Sequence, residues 1–294
     1  MPDIITDRFS EKQKQINQWK AETSARYLEL WSRMIAEWNS PGPDDRVWLM
    51  YSANYLFRTN NIRWAIDPLT FGWRVKYAPK VNALASDLKN ISFALLTHSH
   101  PDHLDLELLS SLRHLPITWV VPEFLLPLVI EKARLPRERM IPCLPLRPIQ
   151  INGIDILPFD GLHLEITTEG GSKGVPSMGY LVECNGARWL FPGDTRSYDP
   201  FQLPAFGAVD VVFAHLWLGR ASALADPPPL LEAFCQFHLQ TGARHVILSH
   251  LHEFGRDAYD YWDDAHVQRV CSRLQELSAG VSVSFPKMGN GTLL

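Results

Sequence analysis

The sequence predicts a mixed α/β protein, with two sheets packed face to face, helices outside them and a helical extension at the N-terminus. Three observations carry this prediction. Apolar residues recur at helical spacing over 8–39, then give way to short strand-like runs from residue 46 onward. Both halves of that later region pass from strands to helices, with no linker or low-complexity stretch inside it. Several apolar runs stop at a histidine or an aspartate, as expected of buried strands that end at a polar site.

Phe9, Ile16, Trp19, Leu28, Trp31, Ile35 and Trp38 mark the apolar face of the first element, with Lys, Gln and Glu between them. One helix or two fit this pattern. The turn signal Asn39-Ser40-Pro41-Gly42-Pro43-Asp44-Asp45 ends it and divides the chain into an extension, 1–45, and a main domain, 46–294. The extension reads as an arm packed on the main domain; a lid or a dimer contact is the alternative. Strands follow at 46–51, 55–59 and 62–66, the last two joined by Asn60-Asn61, which suits a tight hairpin. The continuous apolar run 91–97 suits a strand buried on both faces. A helix is expected over 104–112, with Pro101 and Asp102 in the places favoured at a first turn. A strand at 117–121 and a helix to about residue 134 close the first half. In the second half, strands are expected at 149–157, 178–183, 188–191, 209–213 and 245–248, and helices at 229–240 and 257–277. Asn152-Gly153 and Asn185-Gly186 mark hairpins.

Composition removes several function classes. The 294 residues are 46% hydrophobic and 20% charged, as in an ordinary globular protein. A net charge of -4 and an isoelectric point near 6.3 argue against a nucleic-acid binder, which needs a basic stripe. The ten Trp residues suit core or pocket wall. Cys143, Cys184, Cys235 and Cys271 form no CxxC pair, so they read as reduced, buried thiols of a cytoplasmic protein rather than a thiolate metal site. The N-terminus has no basic segment followed by an apolar one, and the most apolar stretch, 119–130, is broken by Pro122, Glu123 and Pro127. A small molecule is therefore the expected partner, with no transmembrane segment and with a homo-oligomer left open.

The strongest chemical signal is Thr97-His98-Ser99-His100-Pro101-Asp102-His103, which places three imidazoles and a carboxylate directly after a buried strand. Neutral imidazole and carboxylate are ligands for zinc, iron and manganese. His98 and His100 are two apart, so extended backbone puts them on one face and toward one metal. Asp102 and His103 follow as the chain turns and can serve a second ion, about 3.5–4 Å from the first in two-metal hydrolases. Three later positions supply further ligands: His163 after Asp160-Gly161-Leu162, Asp194 in Phe191-Pro192-Gly193-Asp194-Thr195, and His250 after Val246-Ile247-Leu248-Ser249. His215, at the end of Phe213-Ala214-His215, is a candidate proton donor to a leaving group; a ligand or a supporting core histidine is the alternative. Arg220, Arg256 and Lys173 are candidate anchors for an anionic substrate, with solvated surface charge as the default. His252 and Glu253 support the site or belong to the loop. His114, His238, His245 and His266 read as helical or surface positions. The loops around 68–82, 168–176 and 217–228 would shape the pocket.

Over about residues 46–290 the sequence resembles the metallo-β-lactamase fold superfamily. The resemblance is carried by His98-Ser99-His100-Pro101-Asp102-His103, His163, Gly193-Asp194-Thr195, His250 and Ile66-Asp67-Pro68. It implies a four-layer αββα sandwich with the site at one edge of the sheets. It also implies a ligand set: His98, His100 and His163 on one metal, Asp102, His103 and His250 on the other, Asp194 bridging, and Asp67 orienting the ligand loop. The implied cofactors are two divalent ions, zinc first, with manganese or iron as alternatives. The implied reaction is hydrolysis of a small ester, lactone or phosphodiester by metal-bound hydroxide, with Asp102 or Asp194 taking up the proton. The Gly193-Asp194-Thr195 and Ile247-Leu248-Ser249-His250 forms look most like the branch of ascorbate-6-phosphate lactonase and N-acyl-phosphatidylethanolamine phospholipase D. Tyr51-Ser52-Ala53-Asn54-Tyr55-Leu56 stands where that branch usually carries a Gly-His pair. A di-iron oxidoreductase, sulfur dioxygenase-like, is the alternative on the same scaffold.

Overall fold

The structure is a computed structural model that describes residues 2–71, 84–166 and 171–294. Parts of the loops expected to shape the pocket, 72–83 and 167–170, lie outside the described residues. The extension is one helix, α1 (Pro2–Asn39). Its apolar face buries Ile16, Tyr27, Trp31, Met34 and Trp38. The indoles also find acceptors: Trp31 Nε1 donates to Asp87 at 2.8 Å and Trp38 Nε1 to the Phe57 carbonyl at 2.9 Å. That satisfies the polar tips which burial would otherwise penalise.

The strands run in chain order as β1 (Arg46–Leu49), β2 (Tyr55–Thr59), β3 (Ile62–Ile66), β4 (Phe93–Leu95), β5 (Thr118–Pro122) and β6 (Met140–Cys143). There follow β7 (Ile149–Ile151), β8 (Ile154–Asp160), β9 (Glu165–Ile166), β10 (Ser172–Lys173), β11 (Met178–Cys184) and β12 (Ala187–Phe191). The last are β13 (Val211–His215), β14 (His245–Ser249), β15 (Ser282–Ser284) and β16 (Gly291–Leu293). One seven-stranded sheet has the order β16-β1-β2-β3-β4-β5-β6 and the other β15-β14-β13-β12-β11-β8-β7, with β9 and β10 forming a separate hairpin. In the first sheet β3, β4, β5 and β6 run parallel; in the second, β12, β13, β14 and β15 do. Parallel strands end on the same side, so their C-terminal loops can gather at one edge.

Three apolar layers hold the sandwich together. Val47, Tyr55, Phe57 and Trp64 of the first sheet meet Ile154, Tyr180, Phe191 and Phe213 of the second. Trp64 lies flat between Phe57, 3.9 Å away centroid to centroid, and Phe93, at 5.3 Å. The outer face of the first sheet is covered by α1 and α2 (Leu106–Leu112), and that of the second by α3 (Leu231–Gln240) and α4 (Asp264–Leu277). The arrangement is the αββα sandwich.

Several boundaries differ from the sequence reading, each for a local reason. The helix expected from 104 starts at Leu106, because the Asp105 side chain accepts the Leu108 N–H and caps it. Pro101 and Asp102 therefore lie in the turn before it. The run 149–157 is split into β7 and β8 at Asn152-Gly153, both with positive φ (53° and 78°). α4 begins at Asp264 rather than 257, where Asp263 and His266 form a reciprocal cap. The expected helix to 134 is broken into short segments and stops at Arg134, which is left-handed (φ 55°). β6, β15 and β16 are short and had no alternating pattern to announce them. His114 is exposed, and His238 and His266 are helical but buried; His245 opens the strand expected at 245–248, with ring nitrogens 2.6 and 2.8 Å from the Ser282 and Ser284 hydroxyls. Among the described residues, no helix is long and apolar enough to cross a membrane.

His238 shows how α3 couples to pH. Its Nδ1 donates to the Phe234 carbonyl at 2.8 Å, and its ring packs beside Phe234 and Phe237. Burial pushes it down from 6.5 to about 4. The unfolded chain thus takes up this proton first, so the stability from keeping His238 neutral is complete above pH 6.5 and is lost as pH falls toward 4. The loss over that window is roughly 3 kcal/mol. His238→Phe should flatten the fall in melting temperature between pH 6.5 and 4 relative to the native chain, as read by thermal denaturation at stepped pH.

Candidate metal centre

The first ligand candidates lie in the loop after β4. Its geometry is set by Asp67, just past the end of β3, where a positive φ of 45° turns the chain. Asp67 Oδ1 accepts the Thr97 N–H at 2.8 Å, and Oδ2 accepts both the Thr97 hydroxyl and His103 Nδ1–H, the latter at 2.8 Å. With its hydroxyl proton committed to Asp67, Thr97 Oγ1 accepts from His98 Nδ1 at 2.9 Å. These bonds fix the tautomers of His98 and His103 and turn the Nε2 lone pair of each inward. Asn54 ties the loop from beneath, donating to the carbonyls of Asp67 at 3.0 Å and Asp102 at 2.9 Å.

The second sheet supplies the rest. His163 follows β8, Asp194 follows β12 after Gly193 (φ 71°), and His250 follows β14 in a left-handed conformation, φ 61°. A positive φ at a histidine is uncommon, and the Ser52 carbonyl holds it by accepting the His250 N–H at 2.8 Å. His100 Nδ1 and His163 Nε2 lie 3.0 Å apart. Asp194 is the hub of the cluster. Its oxygens lie 2.9 Å from His215 Nδ1, 3.3 Å from His103 Nε2, 3.7 Å from His250 Nε2 and 3.8 Å from His98 Nε2.

The sequence-predicted residues converge. His98, His100, His163 and Asp194 each offer one ligand atom within 4.8 Å of the others, and Asp102, His103 and His250 do the same. His98 Nε2, His103 Nε2, His163 Nδ1 and both nitrogens of His250 are buried with no hydrogen bond of acceptable geometry. Leaving that many buried nitrogens unsatisfied would cost about 1–3 kcal/mol each, a cost a bound cation removes. The donor set therefore fits metal ions.

The electrostatics agree. Burial keeps His98, His100 and His163 below the ordinary histidine range, His163 at about 4, so they stand as neutral donors. Burial opposes charge on His103 and His250 too, but Asp194 together with Asp67 or Asp102 raises both, marking this end of the cluster as a place for positive charge. Burial likewise opposes ionisation of Asp194, yet His250 and His103 hold it well below the usual carboxylate range. Asp102 behaves in the same way against burial, through His250 and His103.

His215 is buried beside Asp194, and both of its nitrogens are engaged. Nδ1 meets Asp194 Oδ1 at 2.9 Å and Nε2 meets the Tyr55 hydroxyl at 3.1 Å; Tyr55 in turn bonds Ser249. Tyr55, Asn54, Thr97 and Ser249 are the residues that sequence reasoning missed; the one signal was that polar Asn54 and Tyr55 stand where the resembled branch carries Gly-His. Of the anionic-substrate candidates, Arg256 reaches Asp102 at 3.4 Å, while Arg220 and Lys173 are exposed. Glu253 is buried and bonds Tyr51 at 3.2 Å, and His252 pairs with Asp264 at 3.1 Å, so both belong to the supporting loop. A small cleft opens on the cluster, lined by His163, Asp194, Thr195, Arg196, His215, Trp217 and His250. A wider cavity of about 710 Å³ runs along α1, but none of the clustered ligand candidates borders it.

The comparisons agree with this geometry. The model of the beta-lactamase superfamily domain matches residues 63–251, and the chain belongs to that superfamily. Among solved structures, it is similar to Igni18, a metallo hydrolase from Ignicoccus hospitalis (14% identity, 86% of this chain and 99% of that one, TM-score 0.62). It is similar to the metallo-beta-lactamase fold protein YhfI from Bacillus subtilis (13% identity, 86% and 100%, TM-score 0.58). It is also similar to CmlA, a diiron beta-hydroxylase from Streptomyces venezuelae (15% identity, 87% of this chain and 55% of that one, TM-score 0.59). No curated protein matches the chain significantly. Superfamily and cluster together support a metal-dependent enzyme.

Asp67 spends its carboxylate oxygens on Thr97 and His103, and so orients His103 and, through Thr97, His98. Asp67→Ala should weaken metal affinity by about 10–100-fold, measured by competition with a chromophoric chelator. An unchanged affinity would make its hydrogen bonds incidental.

Proposed function

We propose that this chain is a metal-dependent hydrolase that uses two divalent ions to cleave a small ester, lactone or phosphodiester. The carrying observation is the convergence of six ligand-capable side chains around Asp194, with buried nitrogens of His98, His103, His163 and His250 left unpaired. His98, His100 and His163 would hold one ion, Asp102, His103 and His250 the other, and Asp194 both. Zinc suits this donor set first, with manganese and iron also accommodated. When bound, such ions supply Lewis acidity and bring the pKa of water toward neutrality.

The protein's own groups account for the remaining tasks. Asp102 and Asp194 are held ionised and can accept a proton. His215 donates from Nδ1 to Asp194, and the Tyr55 hydroxyl donates to its Nε2, so His215 fixes the carboxylate and does not deliver a proton. Gly193-Asp194-Thr195 and Ile247-Leu248-Ser249-His250 favour the lactonase and phospholipase D-like style of the superfamily.

Purified protein should carry about two transition-metal ions per chain. His98→Ala should lose metal and hydrolysis together, by elemental analysis and a screen of generic ester, lactone and phosphodiester substrates. A chain that binds no transition metal overturns the proposal. Bound iron with oxygen uptake and no hydrolysis would replace it with the oxidoreductase reading, since the fold is shared with a diiron hydroxylase. His215→Ala should cut turnover roughly 10–100-fold with both ions retained; loss of one ion would make His215 a ligand.

A further inference from the structure

Arg196 follows Thr195 past the end of β12 and lines the same cleft as His163, Asp194 and His250. Its guanidinium lies over the Trp217 indole, 5.4 Å from the ring centroid, an arrangement that holds a cation in place without using its hydrogen-bond donors. Its backbone N–H bonds the Leu162 carbonyl at 2.8 Å, which anchors it beside His163. On the other side Gly174, at φ 77°, comes so close that a Cβ would sit 2.9 Å from Arg196 Nε. Yet Arg196 Nε is buried without a hydrogen bond, and Arg196 forms no salt bridge among the described residues. A structural arginine would normally have carboxylate or carbonyl partners. Arg256, 3.4 Å from Asp102, puts a second guanidinium against the candidate ligands, and Arg220 is exposed three residues after Trp217. An oxyanion in the cleft would pair the unsatisfied Nε–H.

We infer that Arg196, seated on Trp217 and joined by Arg220 and Arg256, forms an oxyanion subsite beside the metal cluster, so that the substrate carries a carboxylate or phosphate group. The inference deepens the hydrolase reading and rests on it for the word substrate. The subsite itself is a binding property that can be tested without turnover. Charge-assisted hydrogen bonds of this kind change binding by about 10–100-fold.

The test uses the metal-loaded full chain and three para-nitrophenyl substrates: a neutral butyrate ester, a glutarate ester bearing a free carboxylate, and a bis-ester of phosphate. Benzenesulfonate, titrated by calorimetry, serves as the non-reacting anion probe. Arg196→Gln should lower kcat/KM for the anionic substrates at least tenfold relative to the neutral ester, mainly through KM, and weaken benzenesulfonate by a similar factor. Arg196→Lys, which keeps the charge, should recover part of both. A loss confined to the phosphodiester would place the oxyanion on the reacting group; one confined to the glutarate ester would place it on an appended carboxylate. If selectivity and benzenesulfonate binding are unchanged in both variants, the subsite is overturned. If the native enzyme turns over none of the three, the hydrolase reading fails while the benzenesulfonate isotherms still decide the subsite. Should Arg196→Gln not fold, the native, Arg196→Lys and Arg220→Gln isotherms decide it: equal affinity in all three overturns the inference.

Discussion

Asp194 is a buried carboxylate with four imidazoles around it, and most of the architecture follows from keeping it there. An ionised group removed from water is costly unless opposite charge and hydrogen bonds surround it. No single strand can provide that. His98 and His103 come from the first sheet, and His215 and His250 from the second. The two sheets must therefore meet with their strand ends in register, and the apolar layer containing Trp64, Phe57 and Phe213 makes them do so. Packing energy thus sets the distances on which the polar cluster depends.

A second tier of polar residues turns approximate placement into defined geometry. Asp67 and Thr97 orient two imidazoles, Asn54 joins the loops that carry Asp67 and Asp102, and Tyr55 links His215 to Ser249. Tyr180 adds a hydrogen bond to the Leu96 carbonyl at 2.5 Å, holding the end of the β4 run against the second sheet. The left-handed backbone at Asp67 and His250 shows the same priority. Such conformations cost about 1–3 kcal/mol each and persist where the surroundings over-determine them. Here the surroundings are hydrogen bonds from neighbouring loops, so local strain is exchanged for side-chain aim.

Charge is also sorted at longer range. The carboxylates Asp102 and Asp194 are buried in the cluster, and Arg196 lines the cleft that opens on it. A guanidinium in a cleft is the local feature that the proposed oxyanion subsite needs, whatever the net charge of the chain. The substrate class proposed for the cleft follows from this division and not from the total charge.

How much of this was legible in the sequence follows from which interactions are local. The loop 98–103, His163, Asp194 and His250 were readable because each places a metal-capable side chain where an apolar run stops, and the strand period is a local property of the chain. β2 and β3 were placed to the residue, since Asn60-Asn61 fixes their turn locally. The helix starts at Leu106 and Asp264 were not, because each depends on which nearby carboxylate wins the cap. Asn54, Tyr55 and Arg196 looked ordinary in sequence, and their partners lie on elements far along the chain. The sequence alone determined the metal-capable residue types and their order, and through the family resemblance the αββα class. Only the tertiary structure decided that His215 bonds Asp194 and that Arg196 lies over Trp217 with no salt bridge among the described residues, because a hydrogen-bond partner is defined by which distant surfaces packing brings together.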